Sequence, residues 1–198
     1  MIIKFTFRLL SYLKHHLREK WRFTFFELNI TNEFLLSHFK NDSKISIRLA
    51  DVSDLDRIKK ELLPYVESPW EINELLSFEE NYKFCFLAES NDKIIHYAIV
   101  YIDAINSPLM STTIPSKLVG KNNAYLGTSY TIPSERGVSV HYEMLMYILS
   151  HLLNTMNIKW VINFVHDDTL GAVRYYRRLG FNQIYRSSIS NFLFKYLK

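Results

Sequence analysis

The chain has 198 residues, 48% of them hydrophobic and 22% charged, with five glycines and five prolines, which suits one domain with a proper core and argues against long disordered linkers. Its formal net charge is +4, yet residues 1–22 hold six basic residues against Glu19 alone, a net of +5, so the remainder nets −1 and a whole-domain nucleic-acid footprint is poorly supported. The single cysteine, Cys85, excludes an intramolecular disulfide or a cysteine-based zinc cluster, and no apolar run reaches the roughly 18–20 residues that span a bilayer, so a reducing, cytoplasmic location is expected.

At about 100° per residue, Ile2, Phe5, Leu9, Leu13 and Leu17 share one side of a helix over residues 2–21. Lys4, Arg8, His15, Arg18 and Arg22 share the other. Such a basic amphipathic helix packs on its own domain or a second subunit, lies peripherally on the inner membrane surface, or stays disordered until a partner binds. Trp21 to Ile30 is rich in aromatic and β-branched residues and predicts a strand. The polar stretch 31–43, with a short helical option at Glu33 to Phe39, reads as a seam. It would separate an extension, residues 1–43, from a main domain, residues 44–198.

Lys44 to Leu49 alternates and predicts a strand. Asp51 or Ser53 then caps a helix to about Val66, with Leu55, Ile58, Leu62 and Leu63 as its apolar stripe and Pro64 straining its end. Pro69 opens a second helix to about Glu80. Phe84 to Glu89 and Ile94 to Asp103 read as strands joined by the hairpin signal Ser90-Asn91-Asp92-Lys93. Residues 104–123 read as an irregular polar loop, a length that is usual for functional or mobile loops.

Tyr125 to Phe181 carries the chemistry. It reads as a strand to Ile132, the turn Pro133-Ser134-Glu135-Arg136-Gly137, a helix over about Val138 to Asn157, a strand from Lys159 to Val165, and a short helix ending at Leu179-Gly180-Phe181. A helix opening after a strand through an arginine–glycine turn binds anions, because its first N–H groups lack partners. The plain alternative is a turn with an exposed arginine. The tail, Gln183 to Lys198, reads as one or two strands. The whole predicts an α/β (α+β) domain with a mixed central β-sheet flanked by helices.

This order, with this turn, resembles the GNAT superfamily of N-acetyltransferases over about residues 44–196. In that family the turn reads Arg or Gln, two residues, Gly, one residue, then Gly or Ala. Arg136 fits the leading position, while Ser139 and His141 stand where the later small residues are usual. The second family pattern is Asn, two residues, Ala, three residues, Tyr, three residues, Gly-Phe. Ala172, Tyr176, Gly180 and Phe181 fall in register, with Thr169 in the Asn position.

The resemblance implies an acyl-CoA-dependent N-acyltransferase, with acetyl-CoA as donor and an amine of a small molecule or sugar nucleotide as acceptor. It implies that Thr131, Arg136, Gly137, Val138, Ser139, Val140, His141 and Thr169 hold coenzyme A. It makes Tyr176 the general acid for the departing thiolate; the plain alternative is a packing tyrosine. The sheet is expected to splay between the strands ending near Ile132 and Val165. Candidates for the base are His96, Asp103, Tyr125 and His166, none of them singled out, whereas Glu135 reads as a solvated charge. No metal set is expected, since the seven histidines are scattered. Two other readings stay open. One is a longer acyl donor, on an acyl carrier protein met by residues 1–22, and the other a degenerate GNAT-fold binding module. A homodimer is a further expectation.

Overall fold

The computed structural model describes residues 22–38, 45–78, 82–103, 122–136, 139–166 and 169–188. The expected N-terminal helix, Gly137, Val138, most of the 104–123 loop and the end of the tail lie outside these. The described residues form β1 (Arg22–Asn29), α1 (Asn32–His38), β2 (Ser46–Leu49), α2 (Leu55–Glu61), α3 (Pro69–Leu76), β3 (Lys83–Ser90), β4 (Lys93–Ile102), β5 (Asn123–Thr131), α4 (Val140–Asn154), β6 (Trp160–His166), α5 (Leu170–Arg178) and β7 (Asn182–Ser188).

One seven-stranded sheet runs in the order β2-β3-β4-β5-β6-β1-β7. Its neighbours are antiparallel except β5 and β6, the pair joined by the crossover helix α4. β1 revises the seam expected at residue 43. It comes from the stretch read as an extension, yet it sits between β6 and β7, placing Phe25 opposite Phe164 on one side and Tyr185 on the other. The reason is its burial. Thr24, Phe25, Phe26 and Leu28 are all at most 4% exposed, so successive residues on both faces are covered, as in an interior strand.

The helix expected from residue 51 or 53 to 66 is interrupted. Asp51 caps its start through Ser53 N (2.8 Å), α2 ends at Glu61, and Pro64 sits in a separate single turn over Leu63–Tyr65. Arg48 on β2 reaches Asp54 at 2.6 Å and Glu89 at 2.7 Å, tying this corner to β3.

Successive side chains of a strand face opposite ways. On β4, His96 therefore turns toward α4, whereas Tyr97 and Tyr101 turn toward α3. The buried stripe of α4 (Met144, Leu145, Ile148, Leu149, Leu152) packs against the sheet on the His96 side. Gly180, at φ +84°, takes the left-handed position that ends α5, and Phe181 N then bonds Tyr176 O at 3.0 Å.

Candidate active site at the fork of β5 and β6

β5 stays paired with β4 out to Thr131, opposite His96, and β6 stays paired with β1 out to His166, opposite Phe23. Between β5 and β6 themselves the ladder runs only from Asn123↔Trp160 to Leu126↔Asn163. Past that point each strand follows its other neighbour and the two part, as the family resemblance implied. Among the described residues, the fork leaves the β6-facing edge of residues 127–131 without a strand partner, a template for pairing with amide groups of a ligand.

β5 also bulges there. Ala98 faces Ser129 while Val100 faces Leu126, so Gly127 and Thr128 together oppose Ile99. A Cβ on Gly127 would lie 3.0 Å from both Ile99 O and the Tyr101 ring, so a larger residue there would need its neighbours to give by a few tenths of an ångström. Beneath it lies a small cavity, about 20 Å3, lined by Gly127, Ser129, His141, Met144 and Tyr176 among others. That is space for roughly one water-sized group.

Tyr176, on the buried face of α5, reaches this cavity and packs against Phe26 and Phe181 at ring separations of 5.9 and 5.1 Å. Burial pushes its phenol up to about 12, while a hydrogen bond with Asn163 pulls the other way. An asparagine side chain can donate to or accept from a phenol, so Asn163 fixes where the Tyr176 hydroxyl sits. Asn163 is itself buried and occupies the last paired position of β6 before the fork.

The base candidates fare less well. His96 is 1% exposed, bonds Thr131 Oγ1 at 2.7 Å through Nδ1, and is pushed down to about 3 by burial and by neighbouring His141. It is neutral and a very weak base, because protonating it would bury a charge. Asp103 is placed at the wrong end of the sheet. It follows Ile102, which pairs with Ala124, about 20 Å along the strand from the His96–Thr131 pair. Its N–H bonds Asn123 O at 2.9 Å, far from the fork. Tyr125 is buried among Tyr101 and Phe164, with its phenol pushed well up. His166 ends β6 at the fork by its backbone register. Glu135 is partly exposed in the turn after β5.

Of the turn residues expected to hold coenzyme A, Gly137 and Val138 lie outside the described residues. Ser139 begins α4 without capping its N–H groups; its hydroxyl bonds Glu143 instead. Val140 is buried in the first turn. Arg136 folds back on β5, donating to Thr131 O at 3.2 Å with its guanidinium 5.0 Å from the Tyr130 ring centre. His141 turns inward. Its ring lies 5.6 Å from His96 and 5.4 Å from Tyr175, and burial lowers its pKa. Thr169 precedes α5, its carbonyl accepting from Val173 N at 3.1 Å. The unpaired β5 edge and the uncapped start of α4 fit an amide-bearing arm and a phosphate, and Tyr176 fits a thioester between them.

Asn163 and Gly127 were missed by sequence reasoning. A lone asparagine inside the apolar run Trp160-Val161-Ile162-Asn163-Phe164-Val165 was the available signal for the first. A bulge signalled by glycine was available for the second.

The acetyltransferase (GNAT) family model matches residues 52–181. By sequence, no curated protein matches the chain. The aminoglycoside acetyltransferase AAC(6')-Iy, solved with the bisubstrate analog CoA-S-monomethyl-acetylneamine, superposes with TM-score 0.54 at 15% identity, over 73% of this chain and 95% of that one. The ribosomal-protein-S18-alanine N-acetyltransferase of Escherichia coli gives 0.52 at 17% identity, over 71% and 79%. A functionally unknown conserved protein of Staphylococcus epidermidis gives 0.56 at 9% identity, and the match covers 84% of this chain but only 59% of that one. At these identities the structural likeness establishes the fold. Among the described residues no helix is long and apolar enough to cross a membrane.

Proposed function

The chain belongs to the GNAT family of acetyltransferases, and on that premise we propose that it transfers acetyl from acetyl-CoA to an amine of a small molecule or sugar nucleotide by direct attack. The observation that carries this reading is the fork: the β5–β6 ladder stops at Leu126↔Asn163 with a buried tyrosine beside the opening.

Acetyl-CoA supplies a thioester whose C–S bond breaks as the acceptor's N–C bond forms. The chain's own part is to hold and to donate. The free edge of residues 127–131 presents backbone groups to the amides of the pantetheine arm, and an N–H there stabilises charge on the carbonyl oxygen. The start of α4, residues 139–141, offers N–H groups to the diphosphate. Tyr176 gives its proton to the departing sulfur, while Asn163 holds the phenol in place. The acceptor nitrogen loses one proton as the sulfur gains one, so the step needs no net proton source.

The small cavity under the bulge supports a short acyl group over a long one. The inward His141 ring favours the second reading, a binding module in which this side chain takes ligand space. A thermal-shift titration separates the two. Saturating acetyl-CoA is expected to raise the melting temperature by about 5 °C or more. No shift at millimolar acetyl-CoA, with no free thiol released from any amine, overturns the enzyme reading.

A further inference from the structure

The side of the fork facing α3 carries unsatisfied polar groups of a different kind. Tyr97 is fully buried on β4, directly across from Tyr130 on β5 and one residue inward from the His96–Thr131 pair. The two rings stack with centres 6.4 Å apart. Among the described residues the Tyr97 hydroxyl has no hydrogen-bond partner. An orphaned buried hydroxyl costs roughly 1–3 kcal/mol, so its persistence points to a ligand that satisfies it.

Two carboxylates of α3, Glu71 and Glu74, lie near enough to act on the Tyr97 phenol. Glu74, the deeper, is neutralised by Lys83 at 3.7 Å, and Lys83 also donates to Ser77 Oγ at 2.9 Å. Glu71, one turn earlier on the same side of the helix, is only partly exposed, and its carboxylate has no hydrogen bond or ion pair among the described residues. It is the charge that acts most strongly on the Tyr97 phenol. Burial without a counter-ion raises its own pKa. The Tyr130 ring already takes a cation, the Arg136 guanidinium, on its face.

We infer that this side of the fork receives a cationic amine, with Glu71 as its counter-ion, the Tyr97 oxygen as a hydrogen-bond acceptor, and the Tyr97 and Tyr130 rings beside it. The inference rests on the acetyltransferase reading and names its substrate class: an acceptor with a second basic nitrogen besides the one acylated. An ammonium has three donors and no acceptor, which matches a carboxylate beside a phenol oxygen. A carboxylate on the acceptor would meet Glu71 as a like charge.

The test is calorimetric titration of the coenzyme A-saturated protein with 1,4-diaminobutane and, separately, with 4-aminobutyrate. The diamine is expected to bind at least tenfold tighter. Glu71→Gln is expected to weaken diamine binding tenfold or more while leaving coenzyme A binding unchanged. Tyr97→Phe, which keeps the ring, should weaken it several-fold and serves if the first variant is poorly folded. Equal binding of the two probes, or diamine binding unchanged in both variants, overturns the inference. Failure of coenzyme A itself to bind overturns the acetyltransferase reading instead; the same diamine titrations on the free protein then decide the amine site on its own.

Discussion

The β4–β5 pair presents two unlike sides where the sheet opens. Toward α4 and α5, the titratable groups are held uncharged: burial lowers His96 and His141 and raises Tyr176. Toward α3, charge is kept close to the rings, with Glu74 and Lys83 paired and Glu71 beside them without a counter-ion. Burial acts on both sides, but only one supplies an ion to compensate it. The difference suits a neutral thioester on one side and a cationic amine on the other, with the attack passing through the fork between them.

The uncharged side should fail first in acid. His96 is held at about 3, below the ordinary value of 6.5, so the unfolded chain takes up its proton first as pH falls. Its contribution is complete above pH 6.5 and is lost between there and about pH 3, a fall of roughly 4 kcal/mol. Urea unfolding at pH 7, 5 and 4 measures it. Compared with the parent, His96→Gln should lose stability less steeply over this range. Parallel profiles would mean that His96 is not held neutral by its surroundings.

A slightly smaller effect is expected at Tyr176, the proposed acid. Tyr176→Phe should lower kcat at least a hundredfold, about 3 kcal/mol, with little change in melting temperature, because the ring contacts with Phe26 and Phe181 survive. Undiminished turnover would reduce Tyr176 to a packing residue and leave the donor side without its acid.

Legibility followed locality. The register Ala172, Tyr176, Gly180, Phe181 is set within one helix and its cap, and the sequence located it. The splay was expected only through the resemblance to the family, since a strand, a crossover helix and a strand by themselves predict a paired ladder. The position of β1 was not, because nothing in Phe23 to Leu28 says which strands it will pair with; its partners lie more than 130 residues away. Asp103 misled for a related reason. A polar residue at a strand's end looks the same at either end of a sheet, and only the pairing of Ile102 with Ala124 shows which end it occupies. Glu71 left no trace in sequence, for an exposed-looking carboxylate in a helix is ordinary until the rings near it are known.

His141 gives the finest probe of the contrast between the two sides. Its ring lies between His96 and Tyr175 and closes one wall of the cavity beneath the bulge, where the family usually has glycine or alanine. If the ring limits donor length, His141→Ala should enlarge the cavity and improve use of propionyl-CoA relative to acetyl-CoA by several-fold, about 1 kcal/mol. It should leave the diamine affinity of the α3 side unchanged, because β4 and β5 stand between them. If instead the ring takes ligand space, the same substitution should turn a protein that does not bind coenzyme A into one that does. Thiol release with the two donors, read beside a thermal shift, distinguishes these results; an unchanged donor ratio with unchanged affinity would show that the ring bears on neither.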